Sequence, residues 1–239
     1  MKKTLCAVFF DVDDTLYSTT EFAALARRRS AEAMRAAGIN LPTEKILKEL
    51  NEVVEEFTSN YEHHYDKLLL RIPRSSSEGI NPALIVAAGV IAYHETKSTA
   101  LKPYPDALAA LKRLSETSLI RGVITAGLQI KQAEKLIRLG IHPLFSPNAI
   151  FISDQIGVGK PNPKLYLRAC DEVGVRPGEA IYVGDNPLTD IDPANAVGMI
   201  TVLFRRGGKY SHLRGRSRPT YSIENFRDLT RILQRDFRI

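Results

Sequence analysis

The sequence predicts an α/β protein: a parallel sheet covered by helices on both faces, with an all-helical insert near its start. Three observations carry that reading. Residues 4–10 (TLCAVFF) form a short, unalternating apolar run, as expected of a strand buried on both faces. Beyond Lys102 short β-branched and aromatic runs alternate with helical periodicity, the pattern of parallel strands joined by crossovers. From Thr19 to about Thr99 the periodicity is helical throughout. Residues 1–17 and 100–239 are therefore read as the core and 18–99 as a helical insert.

Within the insert, helices are expected over Glu21 to Ala37, Thr43 to Tyr65 and Pro82 to Lys97. They are punctuated by Gly38-Ile39-Asn40 and by Arg74 to Asn81. After Lys102-Pro103-Tyr104-Pro105, a helix over Asp106 to Glu116 precedes a strand over Leu119 to Thr125. A helix over Ile130 to Leu139 then leads to a strand over Ala149 to Ser153. Helix Pro163 to Val173 leads to strand Ala180 to Val183, and helix Thr189 to Val197 to strand Ile200 to Phe204. A weak strand near Tyr221 and a helix from Glu224 to about Arg235 close the chain.

Composition narrows the function classes. The 239 residues are 44% hydrophobic and 25% charged, which disfavours disorder, collagen and coiled coil as whole-chain descriptions. The longest apolar run, Pro82 to Tyr93, falls short of the roughly 20 residues that span a bilayer. The apolar start runs directly into Asp11, Asp13 and Asp14 without a cleavage site, so a cytoplasmic protein is expected. Cys6 and Cys170 fall in an apolar run and a helix, as buried reduced thiols do. The net charge of +6 resides in one segment: Arg205, Arg206, Lys209, Arg214, Arg216 and Arg218 account for all of it. A solvated loop is the simpler reading of residues 205–218, and a phosphate- or polyanion-facing loop the sharper one. No aromatic RNA motif or recognition helix accompanies it, so nucleic acid is disfavoured as a partner.

In such sheets ligands bind at the carboxyl ends of the strands. The first strand ends in Asp11-Val12-Asp13-Asp14-Thr15, the second in Thr125-Ala126-Gly127, and the Ala180 strand in Gly184-Asp185-Asn186-Pro187, with Asp190 beyond. Lys160 lies in Gly157-Val158-Gly159-Lys160-Pro161, ahead of a helix. Clustered aspartates repel one another unless a cation sits among them, and an all-oxygen donor set suits magnesium. Zinc is disfavoured, since the five histidines are scattered and His63-His64 read as a helix surface. The glycines near Lys160 match neither phosphate-loop pattern, because Asp154, Pro161 and Asn162 occupy required positions.

In this order, D-x-D-x-T (Asp11, Asp13, Thr15), a strand-end Thr125, Lys160 before a helix, and G-D-x-x-x-x-D (Gly184, Asp185, Asp190) resemble the haloacid dehalogenase-like hydrolase superfamily. The likeness covers essentially the whole chain and points to the phosphatase branch with a Rossmann-like core and a C1-type helical cap. It implies that Asp11 is the nucleophile that forms an aspartyl-phosphate, and that Asp13 is the acid and then the base. It implies that Asp11, Asp185 and the Asp13 main-chain carbonyl hold Mg2+. Thr125, Gly127 and Lys160 are implied to bind the phosphoryl group, Asp190 to hold Lys160 or a metal water, and Thr15 to fix the turn. Asp14 receives no role. Asp154 and Asp192 read as helix-start or turn residues. Arg27, Arg28, Arg29, Tyr61 and His64 are cap positions that a solvated helix face explains equally well.

The resemblance implies a phosphomonoester hydrolase acting on a small phosphorylated metabolite, with glyceraldehyde 3-phosphate and phosphoglycolate as first substrates. A phosphomutase would also keep Asp13. A haloacid dehalogenase would lack an aspartate at that position, and a catalytically silent binding module would have lost one of Asp11, Asp13, Lys160 or Asp185. Oligomeric state is left open.

Overall fold

The computed structural model describes residues 4–239. Two compact units divide the chain: residues 21–101, and the remainder, residues 4–20 with 102–239. In chain order the elements are β1 (Ala7–Phe10), α1 (Thr19–Ala36), α2 (Thr43–Phe57), α3 (His64–Arg71), α4 (Pro82–Ala100), α5 (Pro105–Ser115), β2 (Ile120–Thr125), α6 (Gln129–Arg138), β3 (Ile150–Ile152), α7 (Ser153–Ile156), α8 (Pro163–Glu172), β4 (Ala180–Gly184), α9 (Asp192–Ala196), β5 (Ile200–Phe204), β6 (Tyr221–Ile223) and α10 (Phe226–Ile232).

The six strands form one parallel sheet in the order β3-β2-β1-β4-β5-β6. The chain moves outward from β1 through β2 and β3, then returns to the other side of β1 for β4. In an open sheet this reversal leaves a crevice at the strands' carboxyl ends, here between β1 and β4. The two strands are in register, with Ala7 opposite Ala180 and Phe10 opposite Val183, so Asp11 and Asp185 emerge together.

Every residue of β1, β4 and β5 is buried, which explains why these runs are apolar without alternation. Alternate side chains still part to opposite faces. Phe9 meets Phe151 edge-on at 6.1 Å, in a cluster with Leu165, Tyr166 and Cys170 of α8. Phe10 meets Phe145 and Phe226 at 6.5 and 6.2 Å. Asn162 caps α8 by accepting from the Lys164 N–H at 3.0 Å, with Pro163 at the first helical position.

The helical unit packs around Ala31, Met34, Ile46, Leu50, Leu68 and Ile85. Gly89 of α4 allows a close approach: a Cβ there would stand 2.9 Å from both Cγ and Sδ of Met34. One expectation is corrected. The helix read over Thr43 to Tyr65 is two helices, broken where Thr58 adopts φ 66°. The break lacks glycine and proline, so it carries no punctuation. Phe57 stacks on Tyr61 at 4.9 Å, and His64 Nε2 lies 2.8 Å from the Thr58 carbonyl across the turn. Among the described residues no helix is long and apolar enough to cross a membrane.

The basic segment is partly absorbed by the core unit. Arg206 donates from Nη1 to Asp106 Oδ1 at 2.7 Å and from Nη2 to Oδ2, with its guanidinium 4.5 Å above the Tyr104 ring. The Phe226 N–H donates to the same carboxylate at 2.9 Å, so Asp106 ties α5, α10 and the end of β5 together. Asp192 accepts from the Arg216 and Ser217 N–H groups at 2.9 and 2.8 Å, which pins the far end of the segment. Burial raises the Asp106 carboxyl, but the Arg206 and Phe226 donors outweigh it and hold it below the usual carboxylate range. A depressed carboxyl stabilises the fold above its unfolded pKa, and the contribution is lost as pH falls through the lower folded value. Arg206→Met is therefore expected to cost about 2 kcal/mol at pH 7. Urea titrations of both proteins at pH 7 and near pH 3 check this, and the gap between them should narrow at the lower pH.

Candidate active site

At the crevice, β1 delivers Asp11, whose N–H donates to the Val183 carbonyl at 2.8 Å and so remains in the ladder. The chain after β4 delivers Asp185 and then Asp190. Asn186 accepts from the N–H groups of Leu188 and Thr189 at 3.0 and 3.4 Å, and this cap starts a wide helical turn that carries Asp190 back toward the sheet. The Asp190 carboxylate accepts from the Asn186 N–H at 3.0 Å. Gly184 makes room for it, since a Cβ there would lie 2.5 Å from Asp190 Oδ2.

Lys160 reaches into this cluster from the loop ahead of α8. Its ammonium donates to Asp11 Oδ1 at 2.6 Å, Asp190 Oδ1 at 2.7 Å and the Tyr182 hydroxyl at 2.7 Å. Three donors meet three acceptors, and the side chain is 4% exposed. Burial favours the neutral amine, but Asp11 and Asp190 outweigh it and keep the Lys160 ammonium well above its ordinary pKa.

One ammonium does not neutralise three carboxylates. Asp11, Asp185 and Asp190 each present an oxygen within 4.8 Å of the others, and all three residues are buried. Asp185 Oδ2 is buried without a hydrogen-bond partner among the described residues. Burial, together with repulsion from Asp11 and Asp190, raises the Asp185 carboxyl. Burial and the neighbouring Asp190 and Asp13 raise Asp11 against the pull of Lys160. A carboxylate trio with excess negative charge and an unspent oxygen fits a hard divalent cation.

Thr125, at the end of β2, is buried and its hydroxyl has no partner among the described residues, which leaves it available to a ligand oxygen. Gly127, which the resemblance implies to be a phosphoryl-binding position, has its N–H engaged within the protein. That N–H donates to Ser153 Oγ at 3.0 Å, and the residue sits at φ 132° against Gln132, where a Cβ would lie 2.7 Å from Nε2. Thr15 differs from its expected turn-fixing role: its buried hydroxyl has no partner among the described residues, and the turn is closed by the main chain, with Leu16 N–H donating to the Val12 carbonyl at 3.0 Å. Asp14, at φ 53°, accepts from the N–H and hydroxyl of Thr20 at 3.0 and 2.8 Å and so fixes the start of α1. Asp154 accepts from the Gln129 N–H at 2.9 Å at the start of α6.

Asp13 is surrounded by partners that sequence reasoning missed. Lys135 Nζ donates at 2.6 and 2.7 Å to its two oxygens and Gln132 Nε2 at 3.1 Å to Oδ2. The hydroxyls of Tyr17 and Thr19 reach Oδ1 at 2.6 and 2.8 Å. Burial raises this carboxyl, but Lys135 and the hydroxyl donors outweigh it, so Asp13 lies below the ordinary range. Tyr182 was missed as well, because it reads as one more aromatic in a buried strand. Of the candidate positions in the helical insert, Arg27 donates to Asn51 at 3.2 Å and Arg28 pairs with Glu44 at 2.8 Å, both within the helical unit.

With this geometry in hand, the sequence matches the haloacid dehalogenase-like hydrolase model over residues 6–198. It is 46% identical to a glyceraldehyde 3-phosphate phosphatase from Methanopyrus kandleri, across 95% of this chain and 97% of that one. It is 38% identical to the same-named protein from Methanocaldococcus jannaschii, across 95% and 96%. A HAD phosphatase from Thermococcus onnurineus shares the structure with a TM-score of 0.65 at 25% identity, covering 96% of this chain and 98% of that one. A buried lysine bridging the aspartate at the end of β1 and the one on the turn after β4, in a chain matched over this extent, has one family reading: the protein belongs to the haloacid dehalogenase-like hydrolases.

Proposed function

We propose that this protein is a magnesium-dependent phosphomonoester hydrolase that works through an aspartyl-phosphate on Asp11, with glyceraldehyde 3-phosphate as its first candidate substrate. The observation that carries the reading is Lys160 clasping Asp11 and Asp190 beside the unspent Thr125 hydroxyl and Asp185 oxygen. The names of the two archaeal relatives support the substrate.

Lys160 holds one Asp11 oxygen and leaves the other to attack phosphorus. As the new P–O bond forms, the bond to the substrate's alkyl oxygen breaks, and Asp13 hands that oxygen a proton. Thr125 donates to a phosphoryl oxygen, and Lys160 offsets the charge that gathers there. Asp13, now ionised, takes a proton from the water that attacks phosphorus. The bond to Asp11 breaks, and inorganic phosphate and the free carboxylate result. The Lys135 contact favours the ionised Asp13 of this second half, and the first half needs that carboxylate to take up a proton beforehand. Asp11, Asp185 and the Asp13 main-chain carbonyl would hold magnesium, whose charge, when bound, offsets repulsion between the nucleophile and the phosphoryl oxygens. Residues 18–99 are assigned the role of a cap that contributes selectivity. The free thiols of Cys6 and Cys170 accord with a cytoplasmic location.

Three outcomes are expected. Asp11→Asn, nearly isosteric, should abolish phosphate release from glyceraldehyde 3-phosphate while the far-ultraviolet dichroism is unchanged; retained turnover removes Asp11 as the nucleophile. EDTA should stop the reaction and magnesium restore it, and undiminished rates in chelator refute the metal role. Asp13→Asn should lower kcat/KM, which reports the transfer to Asp11, by about 100-fold or more on alkyl phosphates and far less on p-nitrophenyl phosphate, because that leaving group hardly needs a proton.

A further inference from the structure

Asp13 is gripped from a helix that carries none of the motif residues. Gln132 and Lys135 lie three apart on α6, hence on one face, and both donate to the Asp13 carboxylate. Lys135 spans both oxygens at 2.6 and 2.7 Å. The Gln132 amide also donates to the Ala126 carbonyl at 2.8 Å, so a single nitrogen joins the loop after β1 to the loop after β2. Gln132 is buried, and Gly127 clears the space its amide occupies. An ion pair that only stabilised the fold would need neither the second donor nor the link to the residue following Thr125.

We propose that Lys135 and Gln132 are positioning residues: a clamp on α6 that fixes the Asp13 carboxylate relative to the phosphoryl-binding end of β2 and thereby sets the rate of proton delivery to the leaving oxygen. The inference rests on the phosphatase reading above. A group displaced by about 1 Å loses on the order of 100-fold in rate. That loss falls on substrates whose leaving oxygen must receive a proton, and spares those whose leaving group departs as an anion.

The test measures kcat and KM with magnesium for glyceraldehyde 3-phosphate and for p-nitrophenyl phosphate in the wild type, Lys135→Met, Lys135→Arg and Gln132→Met. Lys135→Met is expected to lower kcat/KM, which reports the transfer to Asp11, by about 10-fold or more on the alkyl phosphate and by no more than about 3-fold on the aryl phosphate. Lys135→Arg should recover part of the alkyl rate. Gln132→Met, which keeps the ion pair, should show the same split at smaller size and carries the test if Lys135→Met fails to fold. Equal losses of kcat/KM on the two substrates, or no loss, overturns the clamp. If the wild type is active and Asp11→Asn is not, such a result overturns the clamp alone. A wild type silent on both substrates overturns the phosphatase reading and the clamp with it.

Discussion

The placement of one buried ammonium organises the catalytic edge. Lys160 gives its three protons to Asp11, Asp190 and Tyr182, groups delivered by β1, by the turn after β4 and by β4 itself. Taking such a charge out of water costs several kcal/mol per ion, and it is offset only where every donor finds an acceptor. The lysine therefore constrains the loop ahead of α8, the register of β1 against β4 and the return of Asp190 toward the sheet at once. Gly184 belongs to the same constraint, because any side chain there would occupy the place of the Asp190 carboxylate. Fold and chemistry meet in this contact: the lysine that Asp190 and Tyr182 help to bury is the one that holds the proposed nucleophile, Asp11.

The sheet order explains why these groups can meet. Strands β1 and β4 are neighbours in space although about 170 residues separate them, because the chain first builds β2 and β3 on one side and then returns. Parallel pairing in register brings both carboxyl ends to the same level, and the acids that terminate the two apolar runs converge. Their mutual repulsion is the electrostatic complement of a cation and of a phosphate that arrives with one. The unspent oxygens of Thr125 and Asp185 lie at the same edge.

Much of this was legible in the sequence, and the exceptions have physical causes. Strand ends are conspicuous because a run such as Ala7 to Phe10 stops abruptly at a charge, and parallel sheets put function there. Asp11, Lys160, Asp185 and Asp190 were found that way, and the structure brings them together. Lys135 and Gln132 were invisible because a lysine and a glutamine on an amphipathic helix read as solvated, and only the fold turns that face toward Asp13. Arg206 was hidden for a similar reason: its partner Asp106 is distant in sequence, so the residue looked like part of a basic loop. The break at Thr58 was missed because a threonine at positive φ gives no compositional warning. The Gly127 N–H is engaged by Ser153 and the Thr15 hydroxyl meets no partner among the described residues, since residue type indicates a small or polar group without saying which neighbour it will touch.

The central claim is that Asp11 becomes covalently phosphorylated during turnover. The most direct test is to quench the magnesium-loaded enzyme in acid while it consumes glyceraldehyde 3-phosphate, reduce the protein with borohydride, and locate the modified residue by tandem mass spectrometry. The account predicts conversion of the Asp11 carboxyl to an alcohol, dependent on substrate and magnesium. Phosphate release with Asp11 unmodified and another carboxylate, such as Asp185, reduced in its place would contradict it.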